Sequence, residues 1–164
     1  ILTLKFRTAA QAQPALDAIR SPAHQKAVRE AGAASITVLR GRCSGLPAGG
    51  PVTVTASGGR DAARTTLVQE LQRAGVQVQA AGGTVVHLVG YGDRRTDLDP
   101  DAAVTVMMDT PTLLAAARSP TLIATYSSSP LSMSALADVL AGRAKAPGRS
   151  PIAVRGLPRS ACAS

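Results

Sequence analysis

The sequence predicts an α/β fold, a three-layer sandwich with a mostly parallel sheet of about five or six strands and helices on both faces. Three observations carry this reading. Short runs of β-forming apolar residues alternate along the chain with stretches of helical periodicity, the pattern of crossover connections between parallel strands. Apolar residues make up 45% of the chain and are mostly Ala, Val and Leu, with no Trp and aromatic rings only at Phe6, Tyr91 and Tyr126. Such small aliphatics suit helices packed on a sheet that is buried on both faces. The junctions between runs are rich in Gly, Pro and Ser, and 164 residues are enough for one domain with a real core.

Residues 1–20 are expected to be the end of a preceding domain plus a linker, because Leu2, Leu4 and Phe6 alternate with nothing to pair with and Pro14 breaks any long helix. The sandwich domain is expected over residues 21–164. Ser21-Pro22 is a helix start, with Ser as N-cap and Pro at the first helical position, and the helix should run to about Ala34 with Ala27, Val28 and Ala31 facing inward. Ile36–Leu39 is the first strand. A glycine-rich loop over 41–51 leads to a strand at Val52–Ala56, and Ser57-Gly58-Gly59 turns the chain into a helix over 60–74 that Gly75 ends. Val76–Gln79 alternates like an edge strand, and Thr84–Val89 is an apolar strand interrupted only by His87. After a polar loop over 91–101 come a strand at Ala103–Met108, a helix near Thr112–Ala117, a strand at Thr121–Tyr126, a serine-rich turn, a helix at Leu131–Ala141 and a last short strand at Pro151–Val154.

Composition narrows the function. The net charge of +8 invites a nucleic-acid partner, but among the 18 basic residues only Lys5, Lys26 and Lys145 are lysine, and the arginines are scattered. Aromatic platforms for stacking bases are nearly lacking, so no nucleic-acid partner is expected. No apolar run is long enough for a membrane span. Cys43 and Cys162 have neither CxxC spacing nor a histidine cluster, so zinc and thioredoxin chemistry are not indicated. Both lie in loops, which favours one disulfide over two free thiols, and closing so long a loop would stabilise by roughly 4–5 kcal/mol on the chain-entropy model.

The search for chemistry returns little. Ser57-Gly58-Gly59 lies between a strand and a helix N-terminus, where backbone amides can face an anion, and is the candidate ligand-facing loop. It lacks the full dinucleotide and P-loop patterns, and a plain tight turn before a helix is the preferred reading. Asp97, Asp99 and Asp101 have alternating spacing but lack the glycine and distal glutamate of a calcium loop, so a solvated loop is expected and no metal site or cofactor is assigned. His87 reads as a hydrogen-bonded core histidine and His24 as exposed. Glu30 and Glu70, the only glutamates, fall inside helices, and no two carboxylates are brought to one pocket as glycosidic chemistry requires. No catalytic residue is assigned.

The junction sequences nevertheless form an ordered set. They are Leu2-Thr3-Leu4-Lys5-Phe6-Arg7, Ser21-Pro22-Ala23-His24, Ser35-Ile36-Thr37-Val38-Leu39-Arg40, Leu46-Pro47, Thr121-Leu122-Ile123-Ala124-Thr125-Tyr126, and Leu140-Ala141-Gly142-Arg143-Ala144 with Gly148-Arg149-Ser150-Pro151-Ile152. In this order they resemble the C-terminal α/β sandwich domain of glycoside hydrolase family 3, with the nearest likeness to bacterial β-N-acetylhexosaminidases. The chain departs from that pattern where the stretch 91–101 is short and where Ser150 replaces a common Leu.

The resemblance implies a domain that packs on a (β/α)8 barrel which holds the aspartate nucleophile and the His acid/base, so that no catalytic residue is carried over to this chain. It also implies action on cell-wall-type amino sugars and a secreted or cell-envelope location in a bacterium. The rival reading is a free-standing α/β module binding a small ligand or anion at Ser57-Gly58-Gly59. A third is a subunit that pairs with a separately encoded barrel.

Overall fold

The computed structural model describes residues 21–162 together with Ala15, Leu16 and Ile19. The expected tail of a preceding domain and its linker, over 1–20, otherwise lies outside the described residues. Eight main elements follow in order: α1 (Pro22–Ser35), β1 (Thr37–Arg40), β2 (Val52–Ala56), α2 (Asp61–Arg73), β3 (Thr84–Val89), β4 (Val104–Met107), β5 (Thr121–Ala124) and α3 (Pro130–Leu140). The strands form one sheet in the order β1-β5-β4-β3-β2, parallel throughout except for β1, which runs antiparallel to β5.

Alternation along the strands divides the core in two. Val54, Val86, Leu88, Val104, Val106 and Ile123 point to one face, where Leu67 and Leu71 of α2 and Met133, Leu136 and Leu140 of α3 cover them. Leu39, Val89, Met107, Leu122 and Ala124 point to the other, where Leu114, Ala117 and Val154 cover them. The expected three layers are therefore present. The second outer layer is thin, since the expected helix near 112–117 is a 3-10 helix over Pro111–Ala116. Only the six residues Pro111–Ala116 of this connection are helical, and i→i+3 bonding suits such short pieces.

Two expected strands are single bridges. Val76–Gln79 meets β2 only through Val78 opposite Val52, because Pro51 has no N–H to extend the ladder and the chain turns back at Gly82-Gly83. Pro151–Val154 contributes one bridge from Val154 to Leu157, closed around Gly156 in a left-handed conformation. The caps follow the sequence more closely: the Ser21 hydroxyl accepts from His24 N, Ser129 does the same for Ser132 N at the start of α3, and Gly75 and Gly142 end α2 and the last turn after α3 with positive φ.

The inward face expected for α1 is a clear departure. None of its residues is buried, Ala27 and Ala31 are exposed, and Val28 is 52% exposed. The helix packs mainly on α3, where Gly32 lies against the Leu131 carbonyl. Its periodicity is that of a packed helix, but no described residue buries that face.

The C-terminal segment closes the sheet edge at β1. Gly148 N donates to Ile36 O at 2.9 Å and Ala161 N to Val38 O at 2.7 Å, which satisfies carbonyls on the strand's outer side. A disulfide between Cys43 and Cys162, with Cα atoms 5.5 Å apart, ties this segment to the loop after β1. The approach at Gly148 leaves no room, as a Cβ there would lie 2.3 Å from Thr37 Oγ1 and 2.6 Å from Ile36 O. Gly148→Ala is expected to lower stability by about 1–3 kcal/mol in urea unfolding, the range for overpacking. An unchanged midpoint would show that the segment is not seated on β1.

Candidate functional site

The site is set by where the chain leaves the strands. From β2 it passes to α2 on the helical face. From β3 it passes to the opposite face, where the Asp97 carbonyl accepts from the His87 ring and Leu98 packs on the second core. Neighbouring parallel strands whose connections part in this way open a crevice at their C-terminal ends, the usual ligand position in open α/β sheets. A similar parting lies between β4, which leads to the 3-10 helix, and β5, which leads to α3.

In the first crevice one carboxylate joins the two loops. Asp93 Oδ2 accepts from Ser57 Oγ at 2.5 Å and from Gly90 N at 2.6 Å, and Asp93 Oδ1 pairs with Arg60 at 3.3 Å. Arg60 also donates to the Tyr91 carbonyl, and its guanidinium lies flat against Gly90, where a Cβ would come within 2.8 Å of Nε. Burial of Asp93 raises its pKa. The hydrogen bonds from Ser57 and Gly90 and the charge of Arg60 outweigh that, so the carboxyl stays below its ordinary value of 3.8. A carboxylate held ionised in this way is suited to positioning loops and poorly suited to protonating a leaving group.

The candidate loop Ser57-Gly58-Gly59 therefore forms one wall of this crevice, with its hydroxyl engaged by the chain's own carboxylate. Gly58 and Gly59 are exposed, and Tyr91 across from them is 84% exposed. In the second crevice Tyr126 takes a left-handed φ of 56°, and its hydroxyl is buried with no hydrogen-bond partner among the described residues.

The remaining candidates have structural partners. His87 is 6% exposed and sits between Thr55 Oγ1 and the Asp97 carbonyl, each 2.8 Å away. The carbonyl can only accept, so Nε2 carries a hydrogen and Nδ1 is left to the Thr55 hydroxyl. The Asp97 carboxylate accepts from Arg94 N and that of Asp99 from Asp101 N, as in a solvated loop. Among the described residues no group of three or more His, Cys, Asp or Glu side chains is placed to hold a metal ion. Glu30 pairs with Lys26 on the surface, and Glu70 with Arg73 and Ser134. Sequence reasoning missed Arg60, Tyr91 and Asp93. The available signal was Gly90-Tyr91-Gly92-Asp93 directly after a buried strand, two glycines around an aromatic where a turn needs only one.

This is the α/β fold found as one segment of glycoside hydrolase family 3 enzymes. No family model matches the sequence, and no curated protein does. Solved structures do. A family 3 β-N-acetylglucosaminidase from Paenibacillus sp. str. FPU-7 is similar over 90% of this chain and 36% of its own, with a TM-score of 0.67 and 22% identity. A fungal multi-domain family 3 β-N-acetylglucosaminidase is similar over 93% of this chain and 22% of its own, with a TM-score of 0.67 and 14% identity. A β-glucoside phosphorylase, BglX, is similar over 92% of this chain and 35% of its own, with a TM-score of 0.68 and 18% identity. At these identities the likeness is one of fold, and the chain spans about a third or less of each neighbour.

The clamp has a pH signature. Because Asp93 has a lowered folded-state pKa, its contribution is complete above the ordinary carboxylate range and is lost as pH falls through the depressed value. Asp93→Asn is expected to cost about 1–3 kcal/mol at pH 7 in urea unfolding, the range for a lost charged hydrogen-bond partner. The gap to the wild type should shrink on acidification below the ordinary value of 3.8. A gap that stays constant with pH would remove the ionised clamp from the account.

Proposed function

We propose that this chain is the non-catalytic α/β domain of a retaining β-N-acetylhexosaminidase-like glycoside hydrolase of family 3, packed on a (β/α)8 catalytic barrel. The observation that carries the proposal is the match of nearly the whole chain to about a third of a family 3 β-N-acetylglucosaminidase. The chemistry of the described residues supports it. Glycosidic hydrolysis needs two carboxylates about 5–9.5 Å apart across one bond. Here Asp93 is locked in the clamp, Glu70 is paired along α2 and α3, and Glu30 lies on the surface.

The exposed helix α1 supports the packing partner. Val28 and Leu131 line a groove of about 450 Å³ with His24, Gln25 and Arg29, and Leu16 and Ile19 are 84% and 65% exposed. An apolar surface at the entrance to a domain is what a removed neighbour leaves behind. Residues 1–20 would then be the end of the barrel and its linker, and 21–164 the second domain. The disulfide supports an oxidising, secreted or cell-envelope location, and among the described residues no helix is long and apolar enough to cross a membrane. Cell-wall-type amino sugars are the substrate class that this reading implies. The rival anion-binding module gains less support, because the Ser57 hydroxyl already serves Asp93.

The 164-residue chain alone is expected to show no turnover of an aryl N-acetyl-β-glucosaminide. An antibody to this segment is expected to detect either a polypeptide several times its length or a barrel chain in stoichiometric complex with it. Turnover by the purified chain, or a native species of its own mass with no barrel attached, would overturn the proposal.

A further inference from the structure

The carboxylates of this chain are unevenly placed, since residues 31–60 and 139–164 contain no Asp or Glu. The fold lays parts of these two stretches side by side at the β1 edge. Ala146 N donates to the Cys43 carbonyl at 2.9 Å, so Lys145 and Arg42 flank one hydrogen bond. Gly148 N and Ala161 N seat the covering segment on β1, and Ser150 N donates to the Arg159 carbonyl, which brings Arg149 and Arg159 onto adjoining stretches. Val154, next to Arg155, shares the second core with Leu39, next to Arg40. Arg40, Arg42, Lys145, Arg149, Arg155 and Arg159 are all exposed. None of them is in an ion pair, and the pairs among the described residues lie on the helices and at the β2/β3 fork. The disulfide and the backbone bonds thus hold six cations along one edge, where their mutual repulsion does nothing for the fold.

The chemistry of this edge selects among anionic partners. Its exposed cations are mostly guanidinium groups, whose forked donors fit the paired oxygens of a phosphate. None of the exposed large hydrophobic residues, Leu16, Ile19, Val28, Tyr91 and Leu131, belongs to it, so it has no apolar group to insert into a lipid surface. It has no aromatic ring on which a base could stack. The Cys43–Cys162 bridge at its centre belongs to an oxidising compartment. We propose that the β1 edge is a docking surface for a hydrophilic extracytoplasmic polyanion, a polymer of phosphodiester-linked polyols. A phosphodiester carries its charge in the polymer backbone, which suits cations strung along an edge. The ligand class follows from charge and compartment and does not depend on the family 3 reading.

The test titrates fluorescently labelled, deacylated poly(glycerol phosphate) with the 164-residue chain. Saturable binding is expected, weakening roughly a hundredfold between about 50 and about 200 mM salt as counterions are released from the polymer. The double variant Arg42→Gln/Arg149→Gln is expected to weaken binding about tenfold and to flatten the salt dependence. Neither side chain has a hydrogen bond or ion pair among the described residues, so its unfolding midpoint should not fall. Arg64→Gln/Arg73→Gln removes the same charge from α2 and is expected to leave binding nearly unchanged. Absence of saturable binding, or equal losses in the two double variants, would overturn the inference. So would tighter binding of oligo-dT, polygalacturonate or phosphatidylglycerol vesicles at matched charge. Binding by this chain that is lost in the native polypeptide or complex carrying the barrel would give the edge to the barrel instead. The family 3 reading fails separately, through turnover by the chain alone or a native species without a barrel.

Discussion

Two loops that leave neighbouring strands towards opposite faces of the sheet meet on one oxygen atom, Asp93 Oδ2. A partly buried carboxylate on its own would favour the neutral form, and here two hydrogen-bond donors and a guanidinium reverse that preference. The ends of β2 and β3 are held together by this atom. Without it Ser57, Gly90 and Arg60 would all be left with unmet hydrogen-bonding capacity at a place where the chain divides. The same contact closes the fold at its fork and fixes the surface outside it.

The rest of the molecule follows from a core made of small residues. Val, Ala and Thr on the strands allow close approach of the layers, and closure then depends on backbone fit more than on large side chains. Gly148 against Thr37 and Ile36 is one such fit, and Gly90 under Arg60 is another. The C-terminal segment, held by the Cys43–Cys162 bridge, covers the edge that an antiparallel β1 would otherwise leave open.

Much of this was legible in the sequence. The four parallel strands are continuous runs of Val, Thr, Leu and Ile between glycines, serines and prolines, and the caps at Ser21 and Ser129 carry their own chemistry. The errors arose where local pattern and tertiary space disagree. Val76–Gln79 alternates like a strand but reaches one residue of β2, and the segment 111–116 has helical composition but forms only a short 3-10 helix. The inward face assigned to α1 had the right periodicity, but no residue of that helix is buried. The clamp was hidden for a different reason. Ser57, Arg60 and Asp93 are brought together by a parting of connections, which depends on which face each crossover takes, and periodicity along the chain does not encode that.

An α1 with no buried residue fits the proposed packing of this domain on a barrel. Exposed helices with few tertiary contacts open and exchange their amides readily. Amide hydrogen exchange across Pro22–Ser35 is therefore the most direct measurement of whether this is a dependent domain. The account predicts fast exchange in the 164-residue chain and strong protection in the native polypeptide or complex that carries the barrel. Equal exchange in the two would contradict it.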